Sequence, residues 1–209
     1  MSPVAAWLLL AAACAGPRPT TPASSESLSV LQRRLVAKPA DAEAHLRLGL
    51  YWARSGDGLR AQQYLQRAWA LGADARRVLP PLVRVSLALS TWETALLSAQ
   101  ALADALRPGC DRDPRGRSCV DLAEVLVTLA ALHESLLHPR RAVELLLQAS
   151  VVNPRLAEAY LESARLLAED LGDPAAARAV LRRGLLTLQL DPASARLARR
   201  LDDLRESDP

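Results

Sequence analysis

Residues 42–75 read AEAHLRLGLYWARSGDGLRAQQYLQRAWALGADA. Two runs of good helix formers, chiefly Ala, Leu, Arg and Gln, flank the cluster Ser55-Gly56-Asp57-Gly58. Gly and Asp adopt turn conformations at low cost, so the cluster punctuates the chain. The stretch therefore reads as a helix, a tight turn and a second helix. Its small residues fall at telling places. Gly49 on the first helix would let the second cross closely. Ala61 would sit opposite it, and Leu65 would fill the gap to the next unit.

The spacing Gly49, Ala61, Leu65, Ala68, Ala73 returns as Ala130, Ala142, Leu146, Ala149, Pro154. Pro154 ends the second helix, because proline restricts the residue before it and donates no ladder bond. A frame between these two starts at Val83 and reaches Ala95, Ala99 and Leu102. Another starts at Ala164 and, with one extra residue allowed, reaches Ala177, Leu181 and Gly184. Turns are marked again at His138-Pro139 and at Leu171-Gly172-Asp173-Pro174. Repetition at such a period is the signature of stacked helical pairs that bury their apolar faces against one another.

The pattern resembles the tetratricopeptide repeat (TPR), a 34-residue helix–turn–helix. The resemblance implies an all-α, right-handed superhelical solenoid of about four repeats. They lie near 42–75, 76–107, 123–156 and 157–191, in a domain covering 28–206. The aromatic Trp52 follows Leu48-Gly49, and Trp92 precedes Ala95 where the family often has an aromatic. In the second repeat Pro80-Pro81 falls where the first helix should begin, so that helix is expected to start late, near Pro80. The polar segment 108–120 reads as an insertion, and the second helix of the fourth repeat as lengthened to Leu190. Leu28 to Val36 and Pro192 to Arg205 read as amphipathic caps, the latter with Leu197, Leu201 and Leu204 on one side.

In the family, the first helices of successive repeats line a concave groove that binds protein segments. Here this implies groove positions at Leu46, Leu50 and Ala53, then Arg84 and Leu87, then Val127, Ala131 and Glu134, then Leu161, Arg165 and Ala168. Members that clamp a chaperone's C-terminal carboxylate carry Lys, Asn and Arg where this chain has Leu46, Leu50 and Arg54, which disfavours that ligand. A largely apolar groove suits an amphipathic helix or an extended apolar segment. The same leucines would equally serve to complete the core between helices.

Composition agrees with the all-α reading and excludes several functions. Half of the residues are apolar, Phe is absent, and the net charge is only +3, with acids and bases interleaved. No nucleic-acid footprint is visible. Lys38 is the only lysine. No Gly-rich phosphate loop and no nucleophile elbow occur. His133, Glu134 and His138 form H-E-x-x-x-H, but the metalloprotease motif needs its second His one residue earlier, so that both face one way. No metal, cofactor or catalytic residue is expected. His45 reads as a packing residue, and Glu158, Glu162 and Glu169 as a solvated face.

The N-terminus suggests a compartment. Val4 to Cys14 is an uncharged apolar run, too short to span a bilayer as a helix and of signal-peptide size. Leu10-Ala11-Ala12-Ala13-Cys14 resembles a bacterial lipobox, which implies cleavage before Cys14 and its lipidation. The start Met1-Ser2-Pro3 lacks the family's basic residues, and Leu10 lies one residue further from the Cys than is commonest. An ordinary secretory signal over 1–14 is the alternative. The Pro/Ser/Thr-rich stretch 15–27 reads as an extended tether. Ala15 beside the lipidated Cys implies the outer membrane, with the domain facing the periplasm. The other cysteines, Cys110 and Cys119, would close a small disulfide loop in an exported protein and remain free thiols in a cytosolic one. Two Cys without a nearby His are a poor zinc ligand set. Lipobox, tether and repeats together resemble TPR pilotin lipoproteins, which implies a role in secretin or pilus assembly. A general envelope scaffold or assembly factor, and a soluble TPR adaptor without lipid, are the other expectations. Each binds a protein partner, and membrane contact comes through the lipid anchor alone.

Overall fold

The computed structural model describes residues 28–188 and 194–206. The signal-like run 1–14, the tether 15–27, Leu190 and Pro192 lie outside them. The described residues form helices and turns, with no strand among them. The chain divides into two compact units, Met1–Ala73 and Asp74–Pro209.

In the first unit, α1 (Leu28–Ala37), α2 (Ala42–Arg54) and α3 (Gly58–Ala70) follow one another. Asp41 starts α2, where its carboxylate accepts a hydrogen bond from the Ala44 amide at 3.0 Å. The same carboxylate pairs with Arg34 of α1 at 2.6 Å. The Ala44 amide, with Arg34, holds the Asp41 carboxyl below its usual range against a smaller opposing effect of burial. α2 and α3 cross at Gly49. A Cβ on Gly49 would lie 2.7 Å from Leu65 Cγ and 3.1 Å from the Leu65 backbone nitrogen. The small residue thus permits the close crossing, with one change of partner. Leu65 itself fills the space over Gly49, where Ala61 was expected, and both Leu65 and Ala61 are fully buried.

The turns between paired helices share one motif. Gly56, Ser90, Leu137 and Gly172 all have positive φ, at 82°, 56°, 60° and 65°. The next amide reaches back over the turn, as from Asp57 to Trp52, Thr91 to Ser86, His138 to His133 and Asp173 to Leu167. Each of these donors is also the residue that starts the following helix. Glycine adopts such a φ without strain, but a leucine at Leu137 costs ~1 kcal/mol. Leu137→Gly is therefore expected to raise stability by ~1 kcal/mol in chemical denaturation.

The second unit contains α4 (Ala75–Ala88), α5 (Trp92–Arg112), α6 (Arg117–Ser135), α7 (Pro139–Val152) and α8 (Ala157–Arg165). A π-helical turn, Leu166–Asp170, continues α8, and α9 (Pro174–Thr187) and α10 (Ser194–Glu206) follow. Two expectations are corrected here. First, α4 starts at Ala75 and not near Pro80. Asp74 caps it through the Arg76 amide at 2.9 Å, and Pro80 and Pro81 lie inside the helix. The prolines forfeit ladder bonds to the Arg76 and Arg77 carbonyls, but both arginines are exposed, so water can serve those groups. Burial of Val78, Leu79, Pro81 and Leu82 favours the continuous helix.

Second, the segment read as an inserted loop is mostly helix. α5 runs through Pro108 to Arg112 and α6 begins at Arg117, so the two helices are simply long, joined by Asp113-Pro114-Arg115-Gly116. Cys110 and Cys119 are disulfide-bonded, with Cα atoms 4.5 Å apart, and pin the end of α5 to the start of α6. Both are buried. Gly109 makes the approach possible, because a Cβ there would lie 2.6 Å from Ser118 Oγ. Replacing both cysteines by serine is expected to cost ~2.5 kcal/mol through loop entropy. It should also speed amide exchange over 108–119, measured against α7 as an internal reference.

The C-terminal end is closed by α10, as expected of a cap. Leu197, Leu201 and Leu204 are buried in one cluster with Tyr160, Ala164, Ala177, Leu181 and Leu188. Gly184 on α9 sits between Tyr160 and Leu197. A Cβ there would lie 2.8 Å from Tyr160 Cγ and 2.5 Å from Leu197 Cδ2.

Candidate protein-binding surface

The implied groove positions separate by unit. In the first, Leu50 and Ala53 are half-buried on α2, but Leu46 is fully buried, at 0% exposure. Leu46 stands one helical turn before Gly49, on the face that crosses α3. It is a core residue and offers nothing to a ligand, which corrects the expectation from the family pattern. His45 Nε2–H donates to the Pro39 carbonyl at 3.0 Å, and its ring is tilted against Tyr64 at 5.8 Å. Arg60 stacks over Trp52, 4.6 Å from the ring centre. The His45–Tyr64 and Arg60–Trp52 contacts are packing within the helix pair.

In the second unit Arg84 is exposed and Leu87 half-buried on α4. On α6, Val127, Ala131 and Glu134 are half-buried, and so are Leu161 and Arg165 on α8 and Ala168 in the π-helical turn. Leu161 and Ala168 also pack against the C-terminal core cluster. Two of the implied positions meet directly. Arg165 Nη2 donates to Glu134 Oε1 at 2.7 Å, across 31 residues of sequence. The first helices of the third and fourth repeats are thereby tied side by side.

Arg165 is the centre of a larger network. Its Nε donates to Glu162 at 2.8 Å, and Asp170 and Glu169 lie 3.6 Å and 4.0 Å from Nη1. Glu169 also pairs with Arg200 of α10. Burial works against the Arg165 charge, but the hydrogen bonds to Glu162 and Glu134 outweigh it and raise its pKa further. The carboxylates that read as a solvated face are thus partly engaged. Glu162 and Glu169 hold Arg165, while burial, with Glu162 nearby, raises the Glu158 pKa. The Glu162–Arg165 and Arg165–Glu169 pairs follow helical spacing and were legible in principle. The Arg200 link joins separate elements and was not.

The H-E-x-x-x-H residues do not assemble a metal site. Glu134 faces Arg165, and His138 starts α7 with its ring 5.9 Å from that of His133. No group of three or more His, Cys, Asp or Glu able to hold a metal occurs among the described residues. Burial, then the charges of Arg141 and His138, push the His133 pKa below its ordinary value. A depressed folded pKa means that the unfolded chain takes up protons first as pH falls. The stability held by neutral His133 is present above its unfolded pKa and lost as pH falls through the folded one. His133→Gln is expected to flatten that loss between about pH 7 and pH 5, measured as the difference from wild type in urea midpoints.

No family model and no curated protein sequence matches the chain. Solved structures do. MamA superposes with a TM-score of 0.60 at 17% identity, covering 77% of this chain and 80% of that one. PilF of Pseudomonas aeruginosa gives 0.50 at 17% identity, covering 86% and 83%. YrrB, described as a TPR protein with an unusual peptide-binding site, gives 0.50 at 13% identity, covering 85% and 93%. At these identities the likeness concerns the fold. With the repeated helix–turn–helix and its shared turn motif, it establishes an all-α, TPR-like fold for this chain.

Proposed function

We propose that the chain is a non-catalytic scaffold that binds a segment of a partner protein on the first-helix face of its repeats. One observation carries the reading. Glu134 and Arg165, both implied by sequence to line that face, meet across neighbouring repeats at 2.7 Å. Val127, Ala131 and Leu161 remain half-buried on the same two helices. Part-exposed apolar side chains beside fixed charges suit an amphipathic helix or extended segment. The structural likeness to YrrB, described as having an unusual peptide-binding site, supports a peptide ligand. The Arg165 network makes this part of the surface more ionic than the apolar groove expected from sequence.

The test is selection of peptides from a random library against the full chain, followed by amide exchange. Slowed exchange on α6 and α8 is the expected footprint. Protection confined to α5, α7 and α9 would overturn the assignment.

For the compartment, we propose an exported protein anchored at the outer membrane through Cys14 and facing the periplasm. The Cys110–Cys119 disulfide favours this reading, since such bonds persist in oxidising compartments. A pilotin-like role in secretin or pilus assembly is the narrower form, argued from the lipobox, tether and repeats together. The mass of the mature N-terminal peptide decides. A diacylated or triacylated Cys14 is expected, and an unmodified Cys14 would leave the soluble adaptor instead.

A further inference from the structure

The turn between α6 and α7 differs from its counterparts. Where the other paired-helix turns carry Gly56-Asp57, Ser90-Thr91 and Gly172-Asp173, this one carries Leu137-His138, preceded by Leu136. Leu137 is 87% exposed and Leu136 37% exposed. Leu137 pays twice, in a positive φ of 60° that disfavours leucine and in apolar surface given to water. Glycine would avoid both costs, as Gly56 and Gly172 do at the matching position.

The neighbourhood of this tip is basic. Arg140 and Arg141 follow at the exposed start of α7, and no acid occurs between Ser135 and Val143. Glu134 is engaged by Arg165, and Glu144 by Arg141 at 2.7 Å. Arg140 is exposed and keeps its charge for an outside partner.

We infer that the Leu136-Leu137 tip is a peripheral membrane contact, placing two leucines below the headgroups of an anionic bilayer while Arg140 meets the phosphates. Charge complementarity favours lipid. Two adjacent side chains at a turn form no groove for a peptide, and a soft anionic surface needs only apolar tips with cations at headgroup level. No helix among the described residues is long and apolar enough to cross a membrane, so the contact is superficial. It acts whether or not Cys14 carries lipid, and it leaves the α6 and α8 faces open.

The test uses the full chain with Cys14→Ser, so that no acyl chain contributes. Lipid titrations compare vesicles of phosphatidylethanolamine with phosphatidylglycerol against vesicles of phosphatidylcholine alone. Leu137→Gly is expected to weaken binding to the anionic vesicles roughly tenfold. The same variant should raise the Tm by about 2–4 °C, since glycine suits the turn. Arg140→Glu should weaken binding to the anionic vesicles only. Loss of binding with a gain in stability separates a contact residue from a structural one. Equal vesicle binding by wild type and Leu137→Gly, or a wild type indifferent to anionic lipid, would overturn the inference and leave the tip to a protein partner.

Discussion

Gly49→Val is expected to cost about 3 kcal/mol in chemical denaturation, with the loss confined to the first unit. A Cβ on Gly49 would stand 2.7 Å from Leu65 Cγ, 2.8 Å from Cδ2 and 3.1 Å from the Leu65 backbone nitrogen. A rotamer change can displace the side chain, but the backbone cannot follow without moving α3. Valine adds two methyl groups in that space and is stiff at χ1. Amide exchange on α2 and α3 should quicken, while α6 and α7 keep wild-type protection. Gly56→Ala is the control. Nothing lies within 4 Å of a Cβ at Gly56, so only its φ of +82° opposes the substitution. A smaller loss of ~1 kcal/mol is expected there. Equal losses at the two sites would show that turn conformation matters as much as the helix crossing.

Leu181→Ala is expected to cost about 3–4 kcal/mol. Leu181 takes the place in the fourth repeat that Leu65 and Leu146 take in theirs, and all three are at most 2% exposed. It lies in the cluster that joins Tyr160 and Ala164 of α8 to Leu197 and Leu201 of α10. Truncation removes apolar burial and leaves a void that packed helices fill only in part. Leu186→Ala on the same helix is the reference, because Leu186 is 71% exposed and should change stability by less than about 0.5 kcal/mol. The difference between the two, read from urea midpoints at constant slope, measures how far α10 completes the core.

The features legible in the sequence are those set by local chemistry. Gly49, Ala61 and Leu65 mark a helix crossing through size alone, and the Gly-Asp turns through backbone freedom. The misreadings of Pro80-Pro81 and of segment 108–120 depend on contacts between elements. Pro80-Pro81 looked like a helix start because proline's local cost is visible, whereas the burial of Val78, Leu79 and Leu82 that offsets it is not. Segment 108–120 looked like a loop from its Pro, Gly and charge. The Cys110–Cys119 bond holds both helix ends together there. Leu46 fell at a groove position by analogy, yet helix geometry places it on the face of Gly49. Glu134 and Arg165 were singled out separately, and only the ion pair they form between α6 and α8 joins them.

The central claim is that the α6 and α8 faces of the second unit bind a peptide segment. It is tested most directly by the affinity of a library-selected peptide for wild type, Val127→Asp and Ala131→Arg. Far-ultraviolet dichroism and urea midpoints confirm that each variant is folded. Both substitutions are expected to weaken binding at least about tenfold, because each puts an unpaired charge where the ligand's apolar side chains would lie. Unchanged affinity in both folded variants would contradict the claim.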